Sequence, residues 1–190
     1  SGIGGGFGGK SYTRIEPITI ALAQRSNNRP VKVELTRQEE FEITVHKEPA
    51  SVYMKTGVTK DGMLLARKVW TVYDSGAYAE GSPLVVRNAC FTAAGPYNIK
   101  HASIEGYCVY TNNLISGPMR GFGTPQLTWA YESQMDTIAT KLNMDPLEIR
   151  LKNCIEEGHE MPSGETLKSV GLRQTLEQAA EKIEWKDYRP

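Results

Sequence analysis

The sequence carries no excess of charge of either sign, no cysteine framework and no long apolar run, and each lack removes a class of function. Lys+Arg and Asp+Glu balance at 22 each, so no overall field draws the chain to nucleic acid or to an anionic membrane. The three cysteines, Cys90, Cys108 and Cys154, are odd in number, lack CxxC spacing and have no paired histidines nearby. That pattern argues against a disulfide framework and against a zinc site, and it fits a reducing cytoplasm. No apolar stretch approaches the roughly 18 residues that cross a bilayer, and the start lacks the charged and apolar regions of a signal peptide. What is present is 190 residues with 39% apolar content, enough for a real core in one moderately large domain or two small ones. Ser1-Gly2-Ile3 runs straight into glycines with no initiator Met and no preceding strand, as expected of a cut inside a longer protein.

Periodicity and capping signals predict mixed elements. Pro17 suits the first turn of a helix over 18–24, with Ile18, Ala21 and Leu22 on one face, and Asn27-Asn28-Arg29-Pro30 ends it. A short strand is expected over 31–35. Thr36 with Glu39 forms a capping box, in which each side chain satisfies a backbone donor of the other residue. Residues 52–59 and 63–73 are rich in Val, Tyr, Thr and Trp and flank Asp61-Gly62, a strong hairpin signal. Ser82-Pro83 opens a helix toward Phe91, and 99–110 reads as a strand. Thr124-Pro125 caps a helix on which Leu127, Tyr131, Met135, Ile138 and Leu142 recur at helical spacing. Asp145-Pro146 caps another to about Asn153, and Leu172, Leu176, Ala180 and Ile183 mark a last one. Residues 156–171 hold Gly, Pro, His and Ser without periodicity and read as a loop. Helices and antiparallel hairpin strands without regular βα alternation indicate an α+β fold, with no internal repeat.

Two glycine-rich segments carry the chemistry. Gly4-Gly5-Gly6-Phe7-Gly8-Gly9-Lys10-Ser11 satisfies both the GxxxxGK[ST] pattern of P-loops and the GxGxxG pattern of dinucleotide folds. The shared physics is that glycines let successive N–H groups converge on an anion and let it approach the backbone closely. A P-loop further needs an acidic metal partner at a strand end, and Asp74 after 69–73 offers one. It also needs a strand before the glycines and a parallel sheet, and the Asp61-Gly62 hairpin opposes the latter. A flexible linker would favour Gly with Ser rather than a lone Phe and Lys. The second segment, Gly117-Pro118-Met119-Arg120-Gly121-Phe122-Gly123, leads into the Thr124 cap, beside a helix N-terminus where anions are favoured. Arg120 adds a fixed fork of donors. Each segment sets a Phe between glycines, where the ring either lies against a flat heterocycle or pins its loop to the core.

The pair of segments resembles the two cofactor-contact motifs of the molybdenum-cofactor subunit of the xanthine dehydrogenase and aldehyde oxidase family, the molybdenum hydroxylases. Gly-Gly-Phe-Gly-Gly-Lys at 5–10 and Met-Arg-Gly-Phe-Gly-Thr-Pro-Gln at 119–126 stand in the family's order and at about its spacing. The resemblance extends through Thr36-Arg37, Glu39-Glu40, residues 74–78, Gly95-Pro96-Tyr97 and Asp145-Pro146. It implies a partial molybdenum-cofactor-binding domain over 1–155, with 156–190 as a loop and C-terminal helix of the same domain. It implies that Gly5, Gly6, Phe7, Gly8 and Gly9 form one wall around a molybdenum–molybdopterin, in its cytosine dinucleotide form, and that Met119, Arg120 and Gly121 close the other. Phe122 is then expected to stack on the substrate ring and Arg87 to orient it, and no side chain here ligates the metal. Purine-oxidising members carry a glutamate directly after the Gly-Gly-Lys, where this chain has Ser11, so a different N-heteroaromatic or an aldehyde is expected. The reaction implied is hydroxylation of a small-molecule substrate with water-derived oxygen. The electrons leave through iron–sulfur clusters and FAD on other subunits or domains. The family's catalytic glutamate is expected beyond Pro190, with the rest of the molybdenum subunit, so residues 1–190 alone are expected to be inactive. A P-loop-type nucleotide module and a non-catalytic interaction domain remain as alternatives.

Overall fold

The computed structural model describes residues 3–187; the start at Ser1-Gly2 lies outside them. Elements follow in the order α1 (Glu16–Gln24), α2 (Arg37–Ile43), β1 (Ala50–Val58), β2 (Leu64–Gly76), α3 (Ser82–Thr92), β3 (His101–Tyr110), α4 (Thr124–Leu142), α5 (Pro146–Asn153) and α6 (Leu172–Lys182). The three strands form one sheet in the order β1-β2-β3. The fold is α+β, as the sequence indicates.

The chain divides into two compact units. One comprises Ser1–Ala50, Val72–Arg87 and Tyr107–Gly123, the other Ser51–Thr71, Asn88–Gly106 and Thr124–Pro190. In the second unit β1 and β2 are joined by a turn in which Thr59 N–H donates to the Met63 carbonyl at 2.9 Å and Gly62 N–H to the Thr59 carbonyl at 3.0 Å. Gly62 has φ +87°, the left-handed value that glycine tolerates. The same unit's core is made by one face of α4, where Leu127, Tyr131, Met135, Ile138 and Ala139 are buried, together with Val69, Ala93, Tyr97 and Ile149. The helical spacing in the sequence picks out four of the five α4 residues. In the first unit, Thr111 N–H donates to the Gly76 carbonyl and the Ser75 hydroxyl to the Val109 carbonyl. The C-terminal ends of β2 and β3 therefore lie together, so β3 runs parallel to β2 with α3 as the crossover, a third strand beyond the hairpin.

The caps hold as the sequence predicts. The Thr36 hydroxyl accepts from Glu39 N–H while the Glu39 carboxylate accepts from Thr36 N–H. Asp145 accepts from the Leu147 and Glu148 N–H groups at the start of α5. Two expectations need correction. Residues 31–35 form no strand, because their extended chain finds no neighbour to pair with among the described residues. The α1 face of Ile18, Ala21 and Leu22 covers no core, since no residue of this helix is buried.

From Arg67 to Ser75, β2 alternates between buried and more exposed residues, and three of its five buried side chains, Arg67, Thr71 and Ser75, are polar. Each makes at least one hydrogen bond, as burial demands, although Arg67 Nη2 is buried without a partner. Arg67 donates to the Ala94 carbonyl and to the Thr56 hydroxyl, and the Thr71 hydroxyl donates to the Ser51 carbonyl. Burial lowers the Arg67 guanidinium to about 10, partly offset by the nearby Tyr97 and Glu132. Asn153 plays the same role at the helix end, receiving Leu64 N–H at 2.8 Å and donating to the Gly62 and Ile149 carbonyls. Asn153→Ala strands a buried N–H and a buried carbonyl together, so stability is expected to fall by about 3 kcal/mol, read as a lower urea midpoint with unchanged slope.

Candidate functional site

Both glycine segments belong to the first unit, and each forms its loop from its own backbone preferences. In the first, Gly9 N–H donates to the Gly6 carbonyl at 2.9 Å, with Phe7 at φ +50° and Gly8 at φ +97° between them. Two successive positive φ values under such a bond are the pattern of a type I′ turn, and a β-carbon at its second position is strained. In the second, Phe122 N–H donates to the Met119 carbonyl at 2.8 Å, and Gly121, Phe122 and Gly123 all have positive φ, at 96°, 48° and 89°. The two Phe-Gly pairs thus share left-handed φ values, near +50° at each Phe and near +90° at each following Gly.

The second loop is held from below by side chains far away in sequence. The buried Tyr73 hydroxyl donates to the Gly123 carbonyl at 2.9 Å and Lys47 Nζ to the Arg120 carbonyl at 2.9 Å. Gly117 N–H donates to the His46 carbonyl, and the Ser82 hydroxyl to the Ser116 carbonyl. Ser82 Oγ also lies 3.2 Å from Oε1 of Glu48, a buried carboxyl whose pKa burial raises above the ordinary range.

The two loops touch at Gly8. A β-carbon there would lie 2.2 Å from the Pro118 carbonyl oxygen and 2.9 Å from the Met119 nitrogen. Backbone meets backbone with no room for a side chain. On the side away from this contact, the N–H groups of Gly6, Phe7 and Gly8 donate to no described residue, and Gly4 has open space around it. Backbone donors at Gly6, Phe7 and Gly8 that no described residue accepts from are free to serve an oxygen-rich anion.

The structure brings Gly5, Gly6, Phe7, Gly8 and Gly9 together with Pro118, Met119, Arg120 and Gly121 around this contact. Phe7 does not pin its loop to the core: its ring is 59% exposed, folds back over Gly5 and lies 5.8 Å from the Arg120 guanidinium. That is a cation–π distance, so the Arg120 guanidinium lies over the exposed Phe7 ring of the first loop, while the backbone that meets Gly8 is that of Pro118 and Met119. Phe122 is half-buried and Arg87 is exposed on α3. Ser11 turns inward and donates to the Gly8 carbonyl at 3.0 Å, so this hydroxyl serves the loop itself.

Asp74, the acidic partner that a P-loop would need, is taken up in joining the end of β2 to the segment that follows β3. Its carboxylate accepts from Gly76 N–H, the Thr111 hydroxyl and the Asn113 amide. Burial raises its pKa, but these three bonds outweigh it and hold the group below its ordinary value. Among the described residues no group of three or more His, Cys, Asp or Glu is placed to hold a metal, and no helix is long and apolar enough to cross a membrane. The contact of Pro118 with Gly8 and the Arg14–Glu80 ion pair escaped sequence reasoning, because nothing in the local pattern of these residues marks such a meeting.

Paired glycine loops, closed backbone to backbone and open to an anion, define a cofactor-gripping domain built from main-chain atoms. The chain belongs to the molybdopterin cofactor-binding domain family, whose model matches residues 1–154, and within it to the xanthine dehydrogenase group. The large molybdopterin subunit of nicotinate dehydrogenase from Eubacterium barkeri is 41% identical over 180 residues, which is 94% of this chain and 42% of that subunit. Among solved structures, the aldehyde oxidoreductase from Desulfovibrio gigas superposes with a TM-score of 0.84 at 32% identity, covering 96% of this chain and 20% of that one. Quinoline 2-oxidoreductase from Pseudomonas putida 86 gives a TM-score of 0.84 at 29% identity, covering 98% and 25%. The chain therefore spans less than half the length of each of these relatives.

Gly8→Ala is expected to force the loops apart, because strain at φ +97° adds to a collision with a carbonyl that has no rotamer to give. The expected cost is about 2 kcal/mol, whereas Gly4→Ala, with nothing within 4 Å, is expected to leave the melting temperature unchanged. Differential scanning calorimetry of the two variants checks the contrast.

Proposed function

We propose that this chain is part of a molybdenum hydroxylase that hydroxylates an N-heteroaromatic, purine-like or aldehyde substrate with water-derived oxygen. The observation that carries the proposal is the backbone contact between Gly8 and the Pro118–Met119 peptide, which turns two separate glycine motifs into one cradle. An N-heteroaromatic substrate is favoured over xanthine. Nicotinate dehydrogenase and quinoline 2-oxidoreductase are among the similar proteins, and Ser11 supplies no carboxylate after the Gly-Gly-Lys.

The residues present fit an anionic pterin group. The undonated N–H groups of Gly6, Phe7 and Gly8 would hold its oxygen atoms, with Gly5 and Gly9 leaving space for its approach. The backbone of Met119, Arg120 and Gly121 would close the opposite wall. When bound, the molybdenum cofactor supplies Lewis acidity and a sink for two electrons. Phe122, in the second loop, would stack against the substrate ring and exclude water beside it, and Arg87 would orient the ring by a charged hydrogen bond. We take the pterin to be the cytosine dinucleotide form, and we place the cofactor-binding domain at 1–155 with 156–190 as its loop and last helix. The general base, the remainder of the molybdenum subunit, and the iron–sulfur and FAD subunits or domains that accept the electrons are taken to lie outside these 190 residues, in a cytoplasmic enzyme.

The test is metal analysis and turnover of the full-length protein purified from its native host. Stoichiometric molybdenum with hydroxylation of a pyridine- or quinoline-type carboxylate or an aldehyde is expected, and active preparations without molybdenum would sink the reading. Within that enzyme, Phe122→Ala is expected to lower kcat/KM by roughly tenfold or more while molybdenum content stays near that of the parent; parallel loss of both would remove Phe122 from the substrate-stacking role.

A further inference from the structure

The chain after the first loop and the chain beneath the second are joined by one ion pair. Arg14 Nη2 donates to Glu80 Oε1 across 66 positions of sequence, with the two side chains only 24% and 13% exposed. Three features set this pair apart from a surface salt bridge, which ordinarily contributes little. Glu80 holds φ +41°, a backbone conformation that a glycine would adopt without strain. Its second oxygen, Oε2, lies 2.8 Å from where a β-carbon on Gly117 would stand, and the adjacent Gly81 packs so closely that its own β-carbon would lie 2.7 Å from the Pro118 ring. Finally, Glu80 Oε2 and Arg14 Nε are buried with no hydrogen-bond partner, so the pair is placed at some cost to its own satisfaction.

These contacts close a ring. Arg14, four residues past the end of the Gly4–Lys10 run, grips Glu80. Residues 80–82 form the floor under Ser116-Gly117-Pro118 through the Glu80 carboxylate, the Gly81 backbone and the Ser82 hydroxyl. The Pro118–Met119 peptide returns to Gly8. The first loop is thereby held to the second at two points, by backbone contact at Gly8 and by charge at Arg14.

We propose that the Arg14–Glu80 ion pair is a positioning latch that fixes the spacing of the two glycine loops and so sets the width of the cofactor cradle. What the cradle holds rests on the molybdopterin reading; the latch itself does not. Neither residue touches cofactor or substrate in this role, and both act through Gly117, Pro118 and Gly8.

Each loop carries one tryptic site, Lys10 in the first and Arg120 in the second, and Lys60 in the β1–β2 turn offers a control in the other unit. The experiment is limited trypsin digestion of the full-length protein, produced in a host unable to make the pterin and followed by mass spectrometry. Glu80→Gln is expected to raise initial cleavage after both Lys10 and Arg120 by about tenfold, since local opening exposes both loops together, with cleavage after Lys60 unchanged. Glu80→Gly separates the latch from the turn: removing backbone strain is expected to hold or raise the melting temperature, yet both loop sites are expected to open as in Glu80→Gln. The exchanged pair Arg14→Glu with Glu80→Arg is expected to return both cleavage rates to within about twofold of the parent, as coupling between contacting residues requires. A rise at only one loop, no rise at either, an equal rise at Lys60, or an exchanged pair no better than Glu80→Gln overturns the latch. Because the digestion uses cofactor-free protein, absence of molybdenum from the native enzyme would end the functional reading and leave this result standing.

Discussion

The approach of Gly8 to the Pro118–Met119 peptide, so close that one β-carbon would fall 2.2 Å from a carbonyl oxygen, is the constraint on which the rest of the site depends. It requires left-handed backbone at Phe7 and Gly8, which in turn points the N–H groups of Gly6, Phe7 and Gly8 away from protein acceptors. Unmet backbone donors are costly when buried, yet here they are exposed and free to serve a ligand. Glycine contributes here by what it omits: a β-carbon at Gly8 would collide with the Pro118–Met119 peptide and separate the loops.

A second constraint runs beneath the first. The second loop is not a flexible strap, because its carbonyls at Ser116, Arg120 and Gly123 accept hydrogen bonds from Ser82, Lys47 and Tyr73. Three donors from three distant segments fix a short irregular stretch, which is how a loop attains the positional accuracy of a helix or strand. The same economy appears along β2, where the buried Arg67, Thr71 and Ser75 each donate to a backbone carbonyl. Polar side chains in this strand specify which carbonyls it meets, and a purely apolar strand would leave that choice to packing alone.

Much of the local structure was legible. The Thr36 and Asp145 caps, the Asp61-Gly62 turn and the apolar stripe of α4 all follow from short-range rules, since the interacting groups lie within four residues of one another. The rules failed where the partner was missing rather than where the signal was weak. Residues 31–35 alternate as a strand would yet pair with no strand among the described residues, and α1 shows an apolar face of which no residue is buried. A pattern states what a segment is able to do, and only a neighbour decides whether it does so.

The candidate site divides along the same line. The sequence alone determined that two glycine–phenylalanine loops exist and that each favours left-handed backbone, because torsional freedom is a property of the residue itself. Tertiary structure decided that Gly8 faces Pro118, that Phe7 lies under Arg120 instead of in a core, that Asp74 is bound to Thr111 and Asn113, and that Arg14 reaches Glu80. Those four facts join segments up to 113 positions apart, from Phe7 to Arg120. No local propensity encodes such a meeting, because it exists only once the chain between the segments has folded and brought them within van der Waals reach.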